Sequence, residues 1–76
     1  MSKLEKLIKK ILDGRSVSYK EAETLLIKLG FELRIAGSHH VFSKPHYERN
    51  VSLKIRSQLL SYQIRLIQEV LKDHGY

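Results

Sequence analysis

From Lys3 to Asp13 the apolar positions fall at Leu4, Leu7, Ile8, Ile11 and Leu12, an i, i+3, i+4, i+7, i+8 series. That spacing draws one apolar stripe along a helix. Lys3, Glu5, Lys6, Lys9 and Lys10 fill the remaining surface, and Gly14 stands where a left-handed C-cap ends such a helix. A cationic amphipathic helix either packs on its own domain or lies on a membrane surface. In a chain of 76 residues the stripe is needed for the core, so packing is the expectation. A second helix is predicted from Ser18, with Glu21 three residues on at capping-box spacing. Ala22, Leu25, Leu26 and Leu29 follow at helical intervals until Gly30 stops the run.

The period then drops to two. Phe31, Leu33 and Ile35 alternate with Glu32 and Arg34, the signature of a half-buried strand. A tight connection through Ala36, Gly37 and Ser38 leads to a second strand, His39–Lys44, and Pro45 opens a turn over Pro45–Arg49. Val51, Leu53 and Ile55 alternate with Ser52, Lys54 and Arg56 in a third strand. A final helix is expected from about Tyr62 to Asp73, with Ser61 as N-cap. Its inward stripe is Ile64, Ile67, Val70 and Leu71, helped by Leu60 and Leu66, and Gly75 lies just past its end. Short, closely spaced strands favour an antiparallel meander. The expected fold class is therefore α+β, a two-layer sandwich with helices on one face of a three-stranded antiparallel sheet and solvent on the other. No linker or repeat divides the chain, so residues 1–76 read as one domain, with residues 1–14 as an N-terminal amphipathic helix.

Charge and composition narrow the function. Fourteen Lys and Arg against eight Asp and Glu give +6, which draws a small body towards polyanions. The absence of Cys excludes a disulfide framework, a thiol nucleophile and a thiolate metal site. The four glycines are scattered at Gly14, Gly30, Gly37 and Gly75, so no phosphate-cradling loop is encoded, and no Gly-x-Ser-x-Gly elbow is present. No cofactor is expected. No apolar run approaches the roughly 20 residues of a membrane span. The N-terminus lacks the apolar stretch of a secretory signal, which makes the cytoplasm the expected location.

The chemically loaded segment is Gly37-Ser38-His39-His40, at the turn between the first two strands. Adjacent strand residues point to opposite faces. With Phe42 directed to the helices, His40 shares its side, while His39 shares the open side with Val41 and Ser43. His39 and His40 thus cannot easily share one ion, and neither His46 nor His74 completes a helical ligand pair, so no metal site is expected. Arg34, Lys44, Arg49, Lys54 and Arg56 are the basic residues near this turn, suited to holding phosphates. An imidazole can take a proton from one oxygen and return it to another near neutral pH. Beside RNA it would deprotonate a ribose 2′-OH and let it attack the adjacent phosphodiester, without metal or cofactor.

The run Leu29-Gly30-Phe31-Glu32, then Arg34, then Gly37-Ser38-His39-His40-Val41-Phe42, resembles the HicA, or YcfA-like, toxins of bacterial toxin–antitoxin systems. The resemblance extends from about Ser18 to the C-terminal His74-Gly75-Tyr76. It implies an α-β-β-β-α fold like that of double-stranded-RNA-binding domains, extended here by the first helix. It further implies a metal-independent mRNA interferase with His39 as the catalytic histidine, neutralised by an acidic HicB-type antitoxin. Ser38, His40, Arg34, Lys44 and Lys54 are then the expected RNA contacts, and the toxin alone is expected to be monomeric. Many relatives carry Val-Pro-x-His after the third strand, where this chain has Leu53-Lys54-Ile55-Arg56. The alternative from another functional class is a double-stranded-RNA-like binding module without turnover.

Overall fold

The structure, a computed structural model, describes residues 2–76. Two reciprocal caps start the first two helices. In α1 (Lys3–Leu12) the Ser2 hydroxyl accepts the Glu5 N–H at 3.1 Å and the Glu5 carboxylate accepts the Ser2 N–H at 3.3 Å. In α2 (Tyr19–Lys28) Ser18 and Glu21 do the same at 3.1 and 3.0 Å. Each box satisfies two amide donors that the first helical turn leaves free. Lys10 reaches across from α1 to the Glu21 carboxylate at 2.9 and 3.1 Å, so one acid caps α2 and joins it to α1. That ammonium hydrogen bond is the main reason the Glu21 carboxyl titrates below the usual carboxylate range.

Three strands, β1 (Glu32–Ala36), β2 (His39–Lys44) and β3 (Tyr47–Leu53), form an antiparallel meander in the order β1-β2-β3. Leu33 pairs with Phe42 and Ile35 with His40, while Phe42 and His40 face Val51 and Leu53 on the other side. Phe42, Val51 and Leu53 are buried in a single cluster with Ile8 and Ile11 of α1 and Leu25 and Leu26 of α2. The last helix, α3 (Ser61–Asp73), adds Ile67, Val70 and Leu71 to it. The α+β sandwich with an open sheet face and an N-terminal helix is as the sequence predicts. The first helix is built into the core, since Ile8 and Ile11 are buried and Gln68 of α3 donates to the Ile11 carbonyl at 2.8 Å.

Three local expectations need correction. The turn after β2 is confined to Pro45-His46, and β3 starts at Tyr47. His46 sits at φ 63°, the left-handed conformation that the position after proline takes in a type II turn. Between the Lys44–Tyr47 and Phe42–Val51 pairs, β3 carries two more residues than β2, so it bulges. The third strand also ends at Leu53, leaving Ile55 70% exposed. The chain leaves the sheet there because Arg56 accepts the Tyr19 N–H at 3.2 Å and Leu59 donates to the Val17 carbonyl at 2.7 Å. These two bonds hold the 54–60 segment against the start of α2. Finally, Ser61 is the first helical residue of α3 and Leu60 its N-cap, because the Gln63 side-chain oxygen accepts the Leu60 N–H at 2.8 Å.

The bulge of β3 is fastened to the end of α3. Asp73 accepts a hydrogen bond from the Tyr47 hydroxyl at 2.7 Å and pairs with the Arg49 guanidinium at 3.0 Å. Burial, reinforced by that hydrogen bond to Asp73, pushes the Tyr47 phenol up to about 12. A raised phenol favours the folded state fully below the ordinary tyrosine value and loses that contribution as the pH climbs. Between about pH 10 and 12, where the unfolded chain ionises first, stability is expected to fall. Urea titrations across this range should show a shallower decline for Tyr47→Phe than for the parent. An identical slope would place the sensitivity elsewhere.

Candidate active site

Gly37 and Ser38 alone connect β1 to β2, with Gly37 at φ +61° and Ser38 outside the positive-φ region. This is the glycine-first pattern of a type II′ hairpin, whose twist matches the strands it joins. The turn delivers His39 as the first residue of β2, opposite Ala36. Its imidazole lies exposed on the open face and, among the described residues, makes no side-chain hydrogen bond. Arg34, opposite Val41 on the same face, is its diagonal neighbour.

Beside His39 the open face dips into a cleft of about 450 Å³. Ser52, Lys54 and Arg56 line it together with Leu60, Tyr62 and Gln63 from the start of α3. Lys54 and Arg56 are exposed, so the cleft carries two cations within its wall and a third, Arg34, close by. An unengaged imidazole beside them can exchange a proton with a bound polyanion without first breaking a protein contact.

His40 is in a different situation. It is half-buried on the helix side of the sheet, with Nδ1 2.8 Å from the Tyr19 hydroxyl and the two rings edge to face at 5.1 Å. Burial, followed by the charge of Glu23, pushes the Tyr19 phenol up. The adjacent histidines thus divide into one free side chain and one committed to the layer interface. Ser38 is exposed in the turn, next to the cleft in sequence though not in its wall.

Lys44 does not join the group. It shares the parity of Phe42 and turns to the helix layer, where its ammonium donates to the Leu29 carbonyl at 2.7 Å and to His74 Nε2 at 2.9 Å. His74 Nδ1 in turn donates to the Val70 carbonyl at 2.7 Å. The Lys44 ammonium also lies 5.7 Å from the centre of the Phe31 ring. A cation at the C-terminal end of α2 offsets carbonyls that the helix leaves unpaired. Lys44 therefore locks α2, β2 and the end of α3 together. Replacing it by Met is expected to cost about 1–3 kcal/mol in urea denaturation, the range for stranding one partner of a part-buried hydrogen bond. The Lys44 side chain is on the helix face of the sheet, away from the cleft beside His39. Arg49, likewise, is engaged by Asp73.

Sequence reasoning left out Tyr62 and Gln63. A signal for Gln63 was present: residues 63, 67, 70 and 71 are at i, i+4, i+7 and i+8, so a polar side chain occupies an inward position of α3.

Fold and site together define a small α+β domain with a cationic open sheet face and, at the β1–β2 turn beside the cleft, an unbonded histidine. The family model for the HicA toxin of bacterial toxin–antitoxin systems matches residues 19–76. The chain belongs to that toxin family, and membership implies an antitoxin as its counterpart. The search of curated proteins and the search of solved structures each return no significant match. Helix α1 precedes the matched residues and is nevertheless part of the core. Among the described residues no helix is long and apolar enough to cross a membrane.

Proposed function

We propose that this toxin is a metal-independent mRNA endoribonuclease in which His39 is the general acid and base. The observation that carries the reading is the contrast between the two histidines: His39 is exposed and unbonded beside Lys54 and Arg56, while His40 is held by Tyr19. His39 takes the proton of a ribose 2′-OH as that oxygen bonds to phosphorus. The bond to the 5′-oxygen breaks, and the imidazolium returns the proton to the leaving oxygen. Lys54, Arg56 and Arg34 hold the phosphates by charge and hydrogen bonds, and Ser38 sets the turn. The counterpart is a HicB-type acidic antitoxin that covers the same cationic cleft, as the +6 charge favours.

The test is incubation of purified protein with single-stranded RNA in EDTA, beside the same RNA carrying 2′-O-methyl groups throughout. Cleavage of the first in EDTA and none of the second is expected. Loss of cleavage on chelation, or cutting of the methylated strand, contradicts the mechanism. Salt-dependent binding with both strands left intact would instead favour the non-catalytic RNA-binding module.

A further inference from the structure

Tyr62 and Gln63 present an arrangement that the core does not explain. Tyr62 is 61% exposed on the first turn of α3, so its ring adds little to the packing, yet it lines the same cleft as Lys54. Gln63 is only 5% exposed although polar, and it faces the same cleft. Its orientation is determined by its partner. The Leu60 N–H requires an acceptor, so Oε1 is turned to it at 2.8 Å and the Nε2 amide group is left over. Among the described residues Nε2 has no partner, and no fully buried side-chain nitrogen or oxygen lacks one, so Nε2 keeps some exposure, and Gln63 lines the cleft. A hydrogen-bond donor and an exposed aromatic ring, adjacent in sequence, thus line one cleft with two cations and His39.

We propose that the first turn of α3 is the second wall of the substrate site and selects unpaired RNA: Tyr62 stacks on a base next to the scissile phosphate, and Gln63 Nε2 donates to an oxygen of that phosphate. This rests on the ribonuclease reading above and adds the substrate's secondary structure to it. An aromatic ring reaches the face of a base only when the base is out of a duplex. The cations of the same cleft hold the backbone without regard to sequence. Paired RNA engages Arg34, Lys54 and Arg56 through its phosphates but leaves the Tyr62 ring without a partner.

Binding of a mixed-sequence 2′-O-methyl oligoribonucleotide, labelled for fluorescence anisotropy, separates this from cleavage because it has no free 2′-OH. The full-length protein should bind the single strand more tightly than the same strand annealed to its complement. Tyr62→Ala should weaken single-strand binding by roughly tenfold or more, as expected for loss of one stacked base, and leave duplex binding unchanged. Tyr62→Phe keeps the ring and should bind within about twofold of the parent. Gln63→Glu keeps the acceptor for Leu60 but removes the donor, and should also bind the single strand more weakly while melting near the parent temperature. Equal binding by Tyr62→Ala, or a loss in Tyr62→Phe as large as in Tyr62→Ala, overturns the stacking role. Parent-like binding by Gln63→Glu overturns the donor role. If the parent protein binds neither probe, the ribonuclease reading itself fails; if it binds both and Tyr62→Ala matches it, only the α3 wall does.

Discussion

His39→Ala is expected to slow RNA cleavage by about 10²–10⁴-fold, the usual contribution of a positioned general acid or base. The protein should fold as before. His39 is exposed and has no hydrogen-bond partner among the described residues, so its removal should change stability by less than about 0.5 kcal/mol. The neighbouring His40→Ala should behave in the opposite way. It strands the Tyr19 hydroxyl in a site where Tyr19 is itself buried, at a cost of about 1–3 kcal/mol, and the folded fraction should cleave within about tenfold of the parent rate. Single-turnover rates and urea midpoints for both variants check the pair together. A His40 variant that is stable but inactive, beside an active His39 variant, would reverse the assignment of the two roles.

Ile11→Ala is expected to cost about 2–5 kcal/mol, the range for truncating a large aliphatic side chain in a core that only partly collapses around the gap. Ile11 is fully buried, and its carbonyl is tied to Gln68 of α3. A chain of 76 residues has a total stability of only about 4–11 kcal/mol, so this one substitution removes a large share. The effect matters because α1 precedes the family-matched residues 19–76 and would otherwise pass for an appendage. Leu12→Ala, one position on but exposed, should shift stability by no more than about 0.5 kcal/mol. If both substitutions are equally mild, α1 is not integral to the domain. Denaturant titrations of the two variants decide it.

The elements read most directly from the sequence are those fixed by neighbouring residues. The Ser18–Glu21 box, the Gly37-Ser38 hairpin and the apolar stripe of α1 are all local patterns, and parity alone separates the faces of His39 and His40. Where the reading slipped, distant partners had decided the outcome. Tyr47-Glu48-Arg49-Asn50 lacks strand alternation and is polar, yet it belongs to β3, where Tyr47 pairs with Lys44 of β2 and Asp73 at the far end of the chain holds Tyr47 and Arg49. The third strand stops short of Ile55 because residues 56 and 59 bond to residues 19 and 17. Lys44 is the instructive case. Its parity with Phe42 already put it on the helix face, but its partners Leu29 and His74 lie 15 and 30 residues away, and positive charge alone suggested a phosphate contact. Gln63 is marked in the sequence only as a polar residue at an inward position of α3, and Tyr62 not at all, because a cleft between a hairpin and a helix start has no linear signature.

In the proposed mechanism, attack by the 2′-oxygen would leave a chemical record in the product. The most direct measurement is therefore mass spectrometry of the upstream fragment from RNA cleaved by the parent protein in EDTA. A 2′,3′-cyclic phosphate, or the monophosphate formed when it opens, paired with a 5′-hydroxyl on the downstream fragment, is the predicted result. A 3′-hydroxyl paired with a 5′-phosphate would mean that water, and not the ribose, attacked phosphorus, and would contradict the role assigned to His39.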